Sequence, residues 1–135
     1  MKKEEKQLLL KDLCARLPYG VKFVCNKNVY TAKWLDLIVT DEGDWEYAVT
    51  AKGIEPIEID FVKPYLRPMS SMTEEEKEEY TSYCFEQPFL QKDKIPNLGS
   101  VPMCMDWLLS KHFDFRGLIE KGLALEAPKG MYKNE

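Results

Sequence analysis

The hydrophobic period of this chain changes across one stretch, Lys63-Pro64-Tyr65-Leu66-Arg67-Pro68-Met69-Ser70-Ser71-Met72-Thr73-Glu74-Glu75-Glu76. Upstream, after an opening helix, apolar residues alternate with polar ones, which is the period of a half-buried strand. Downstream they recur at helical spacing. Two prolines deny the stretch a continuous helix, and Thr73 with Glu76 forms the pattern of a capping box. The pattern predicts an α+β chain: an N-terminal helix, a small curled antiparallel sheet, then two to three C-terminal helices. Residues 1–68 would hold the helix and sheet, and residues 69–135 a helical part packed on them as one compact unit. A chain of 135 residues can bury such a core without metal or disulfide help.

Residues 3–17 place Leu10, Leu13, Cys14 and Leu17 on one helical face, with Leu9 on its flank. Arg16 lies near the negative end of the helix dipole, and Pro18 with Gly20 ends the helix. Val21, Phe23 and Cys25 then alternate, and Asn26-Lys27-Asn28 reads as a turn. Across residues 29–40 the inward row changes parity near Trp34-Leu35. Tyr30, Ala32 and Trp34 form one row, and Leu35, Leu37 and Val39 the next. A parity change inside a strand requires a bulge or a bend. Trp45, Tyr47, Val49 and Ala51 share one face of the following strand, Pro56 confines the next strand to an edge, and Asp60 to Lys63 fits a 3₁₀ turn. Short strands, tight turns and one bend predict an SH3-like barrel.

The helix after Thr73 carries five glutamates between 74 and 79, a solvated face, with Tyr80, Tyr83 and Cys84 inward. Residues 86–100 have no period. Helices are expected from about Met103 to Lys111 and, capped by Asp114, from Phe115 to Lys121; the tail after Ala127 is expected to fray.

The formal net charge is −4, unevenly placed. Residues 1–33 carry eight Lys/Arg against three acids, and residues 34–60 carry Lys52 against eight acids. The four cysteines lack zinc-knuckle spacing and read as small apolar residues rather than disulfides; no metal and no cofactor is expected. Glutamates follow Met1-Lys2-Lys3 where a secretory signal would begin its apolar run, and no run is long enough to span a bilayer. A cytoplasmic location without membrane contact is the expectation.

The text of Lys63 to Glu76, of Asp106-Trp107-Leu108, and of His112-Phe113-Asp114-Phe115-Arg116-Gly117-Leu118-Ile119-Glu120-Lys121-Gly122-Leu123-Ala124 resembles a family of short uncharacterised proteins. The family is encoded by gut Bacteroides and relatives, often within prophages and other mobile elements. The opening Leu8 to Val21 is similar to the same family. The resemblance implies a bacterial, phage-associated, cytoplasmic protein, and implies no chemistry.

Candidate sites are few. His112, the one histidine, has Asp114 and Asp106 nearby in sequence and permits a sketch of a base with its orienter, but no motif ties a nucleophile to it. Tyr65 and Arg67, flanked by Pro64 and Pro68, form a candidate docking strip for a host or phage protein; the favoured alternative is a connector whose tyrosine and leucine pack under the C-terminal helices. Arg16, Lys22, Lys27 and Lys33, interleaved with Tyr19, Phe23 and Tyr30, form a candidate nucleic-acid edge. The leading expectation is a non-enzymatic protein-interaction module of a phage or mobile element; the alternative is a weak nucleic-acid binder built on a small barrel.

Overall fold

The structure is a computed structural model that describes residues 1–84 and 101–132. The segment 86–100, singled out above as aperiodic, lies outside the described residues, as do the side chains of Tyr83 and Cys84. The fold is α+β. Helix α1 spans Lys3–Arg16, and a 3₁₀ turn at Leu17–Tyr19 ends on Gly20 in the left-handed region, φ 71°. Strands β1 (Lys22–Cys25), β2 (Asn28–Val39), β3 (Trp45–Ala51), β4 (Ile57–Glu58) and β5 (Lys63–Leu66) follow. Helices α2 (Glu74–Cys84) and α3 (Val101–Ser110) come next, and a short strand β6 (Leu125–Glu126) closes the series.

The sheet order is β4-β3-β2-β1-β5-β6. All pairings are antiparallel except β5 with β6. The sheet is not closed into a barrel: β4 and β6 stand at its two edges, so the expected SH3-like closure is not seen. The parity change does appear, as a register shift in the β2–β3 ladder between Ala32 and Trp34. It divides β2 in two. The first part pairs with β1 from Asn28 to Thr31, and the second pairs with β3 from Ala32 to Val39. The turn before β2 places Asn26 and Lys27 at φ 50° and 67°, a conformation that asparagine tolerates better than most residues.

The main core gathers Leu9 and Leu13 of α1, Phe23 of β1, Val49 of β3, Leu66 of β5 and the distant Leu118. Each is fully withdrawn from water and contributes about 1.5–3 kcal/mol. A second cluster, Met72, Trp107, Leu108 and Phe113, holds α2 and α3 against the joint.

Four expectations need correction. The buried face of α1 is Leu9, Asp12, Leu13 and Arg16, while Cys14 is exposed, because a charged pair takes two inward positions. Residues 115–121 form turns rather than a helix: Gly117 and Gly122 both adopt φ 75°, which a right-handed helix does not admit. Asp114 still caps that segment, its two oxygens accepting from the N–H groups of Leu118 and Ile119 at 2.8 and 2.9 Å. Residues 128–132 do not fray: Tyr132 is buried, donates its hydroxyl to the Tyr65 carbonyl at 2.6 Å and accepts from Lys22 N–H at 2.9 Å. Finally, Cys104 stands in a disulfide, whereas Cys14 and Cys25 are free thiols.

Candidate functional site

The outer half of the β2–β3 hairpin is built by simple alternation. Leu35 lies opposite Val49, Leu37 opposite Tyr47, and Val39 opposite Trp45. A period of two puts all six side chains on one face. Val49 is fully buried and Leu35 packs beside it in the core. The same row then runs out from under the core. Leu37 is 53% exposed, Val39 54%, Trp45 68% and Tyr47 44%. This departs from the sequence expectation for Leu37 and Val39, which form part of the inward set there. On the opposite face Trp34 is also exposed, pinned through Nε1 to Asp36 at 2.8 Å, and Asp36 also accepts from the Thr50 hydroxyl at 3.1 Å. Four large apolar groups contiguous on one face, at the end of a hairpin, are an unusual surface for a chain that works alone.

The backbone beside that row is also unfilled. Thr40 N–H donates to the Asp44 carbonyl at 2.7 Å, so 40 and 44 form a narrow pair. In an antiparallel ladder narrow and wide pairs alternate. The amides and carbonyls of Trp45 and Tyr47 therefore point away from β2. Tyr47 N–H meets only the carboxylate of its neighbour, Glu46 Oε1, at 2.9 Å. Strand β4 covers only Ala48 and Val49. Among the described residues no strand pairs with Trp45, Glu46 or Tyr47 on that side.

Where β4 leaves the edge, the chain turns through Ile59–Phe61 and opens a cleft of about 430 Å³. Asp41, Glu42, Asp44, Glu46, Glu58 and Asp60 line it, together with Trp45 and Phe61, the latter 65% exposed. Lys6 of α1 is the single cation in the lining, and its charge is already met by Glu46 and by Asp60 at 3.3 Å. These contacts raise the Lys6 pKa, chiefly through the Glu46 hydrogen bond, and the same bond lowers that of Glu46.

The sequence-predicted sites lie elsewhere. Arg67 is buried, not displayed on a strip. Its guanidinium forms a fork on Glu76, 2.8 Å at each tooth, and stacks on Phe113 with its carbon 4.2 Å from the ring centre. Glu76 is thus turned inward, away from the solvated glutamate face expected of it. Its carboxyl is held at about 2, first by Arg67 and then by the Thr73 backbone. Tyr65 is half-buried within β5, and its carbonyl is taken by Tyr132. Of the candidate nucleic-acid edge, Arg16 is fully buried, donating to Asp12 at 2.7 Å and to the Phe113 carbonyl at 2.5 Å. Lys22 is half-buried and bonded to Thr31 at 3.0 Å. Only Lys27 and Lys33 of that set are exposed, so the four do not converge on one basic surface.

His112 is buried at φ 63° with its ring stacked on Tyr132, centroids 3.7 Å apart. Its Nδ1 has no hydrogen-bond partner among the described residues, and Asp114 is spent on backbone amides rather than on orienting it. Burial, then the nearby Arg16 charge, lowers its pKa from 6.5 to about 4. The unfolded chain therefore binds a proton that the folded chain refuses, so this contribution is complete above pH 6.5 and is lost as pH falls toward 4. Between pH 7 and pH 5 the His112 share of the loss is about 2 kcal/mol. Urea midpoints measured at the two pH values should show it. His112→Asn, whose side chain tolerates the left-handed backbone, should flatten that slope.

Comparison with protein-family models, curated proteins and solved structures gives no match for this chain. No helix among the described residues is long and apolar enough to cross a membrane, and no cluster among them is arranged to hold a metal ion.

Proposed function

We propose that the chain is a non-enzymatic protein-interaction module whose contact surface is the outer half of the β2–β3 hairpin. The carrying observation is the row Leu37, Val39, Trp45 and Tyr47, continuous with the core at Val49 yet exposed. A row of this kind, centred on a tryptophan and a tyrosine, supplies the side chains that dominate binding energy at interfaces. The surface replaces Tyr65 and Arg67 as the docking site. The resemblance of residues 8–21, 63–76, 106–108 and 112–124 supports a role as a cytoplasmic accessory protein of a phage or mobile element, acting on a host or phage protein.

The test is positional. A benzophenone amino acid placed at Tyr47 in the producing cell should yield one adduct of discrete mass on irradiation. The same group at the exposed Glu120, outside the hairpin, should yield none. No adduct at Tyr47, or equal adducts at both positions, overturns the reading.

A further inference from the structure

From the free edge and the acidic cleft beside the apolar row, we infer that the partner contributes a basic, extended segment that adds to β3 as a new edge strand. The inference rests on the hairpin being the contact surface, and it names what the hairpin receives. Three features converge on it.

The first is the backbone. Trp45 and Tyr47 present outward amides and carbonyls with no strand against them among the described residues, and β4 stops at Ala48. Strand addition satisfies such groups directly, because main-chain hydrogen bonds provide affinity without regard to sequence. Tyr47 N–H, which now donates to the Glu46 carboxylate, would donate instead to a carbonyl of the incoming strand.

The second is the period. An added strand places alternate side chains on the face of Trp45 and Tyr47, beside Leu37 and Val39. Apolar residues at those positions cover the exposed row. The residues between them fall on the opposite face, where Glu46 lies.

The third is charge. Six carboxylates line the cleft at the end of this edge, against one lysine already engaged by two of them. Lysine or arginine side chains on the Glu46 face of the incoming segment neutralise that excess, and their aliphatic stems can cover Phe61. A nucleic acid is repelled by the same carboxylates. A second copy of this chain brings its own acidic hairpin to any two-fold edge pairing and is disfavoured for that reason.

The probe is a fluorescein-labelled peptide of alternating lysine and valine, acetylated and amidated, titrated with the full chain by fluorescence anisotropy. Saturable binding is expected, weakened about tenfold between about 50 and about 300 mM salt. The matching glutamate–valine peptide should not bind. Combining Asp41→Asn, Glu42→Gln and Asp44→Asn should cost about tenfold in affinity while leaving the urea midpoint unchanged. N-methylation of alternate peptide amides of the probe, which removes main-chain donors, should cost a similar factor. No binding, equal binding of both peptides, or indifference to the triple substitution or to N-methylation overturns the inference. The Tyr47 cross-link separates the two levels. An adduct with a partner lacking a basic extended segment, or with a second copy, overturns the basic-strand inference alone, whereas absence of any adduct removes the docking surface itself.

Discussion

Asp12→Ala should lower the free energy of unfolding by about 3–5 kcal/mol, a large share of the stability of a domain this size. Asp12 is fully buried on α1, and its carboxylate ties that helix to the segment after Asp114. Oδ2 accepts from Arg16 Nε and Oδ1 from Arg116 NH1, each at 2.7 Å. Arg16 in turn reaches the Phe113 carbonyl, while its NH1 already lacks a partner among the described residues. Alanine would leave a guanidinium inside the protein with one neutral acceptor, and an uncompensated buried charge is among the costliest defects a core can carry. Replacing both members of the local pair, Asp12→Leu with Arg16→Met, should recover much of the loss, since apolar groups of similar volume demand no partner. Urea unfolding followed by circular dichroism measures both. A single-variant cost below about 1 kcal/mol would show that the triad is incidental to how α1 is held.

That triad also shows why part of this fold cannot be read from the sequence. Asp12 and Arg16 are charged, so pattern reading places them outward and moves the buried face of α1 toward Cys14. The residue that makes their burial tolerable, Arg116, lies far along the chain, and no local signal announces it. The elements fixed by local physics are legible: the parity change of β2, the asparagine turn, the Pro56 edge, and the Thr73–Glu76 cap with its 3.0 and 3.1 Å bonds. Elements that depend on remote partners are not. Strand β6 has only two residues and exists because β5 offers an edge. The eight-residue turn segment from Phe115 to Gly122 has helical spacing but two glycines in the left-handed region.

The candidate site is legible as alternation, but its β2 half, Leu37 and Val39, reads as inward. Alternation from Trp45 to Val49 marks one face of a strand, but it does not say how far the cover extends. Cover is a property of what packs on the sheet, and on this face it ends at Val49, with Tyr47 and Trp45 beyond it exposed. Arg16, placed outward by pattern, is fully buried. Proline neighbours leave Arg67 open to display or to packing as a connector, and its fork on Glu76 makes it a fastener between the strands and the helices. Stability is therefore concentrated at the joint, away from the hairpin tip, so the tip can vary in sequence without unfolding the rest.

Arg67→Ala is the substitution that tests this division most severely, with an expected loss of about 3–5 kcal/mol. The side chain does three things together. It neutralises the buried Glu76, covers the Phe113 ring, and fixes the strand whose backbone exchanges bonds with residues 112–114: Arg67 N–H to the His112 carbonyl and Asp114 N–H to the Arg67 carbonyl, both 2.8 Å. Arg67→Lys keeps the charge but not the planar fork, and should still cost about 2 kcal/mol. The pH dependence identifies the partner. Glu76 has its carboxyl lowered from 4.5 to about 2 in the folded chain, so its contribution is complete above pH 4.5 and is lost as pH falls from there toward 2. The full linkage is worth about 3 kcal/mol. Glu76→Gln should abolish that acid limb while leaving the His112 limb between pH 6.5 and 4 in place, and in the Arg67→Ala background the acid limb should already be gone. Persistence of the acid limb in Arg67→Ala would place the carboxylate stabilisation elsewhere and dissolve the argument that this fork ties the sheet to the helices.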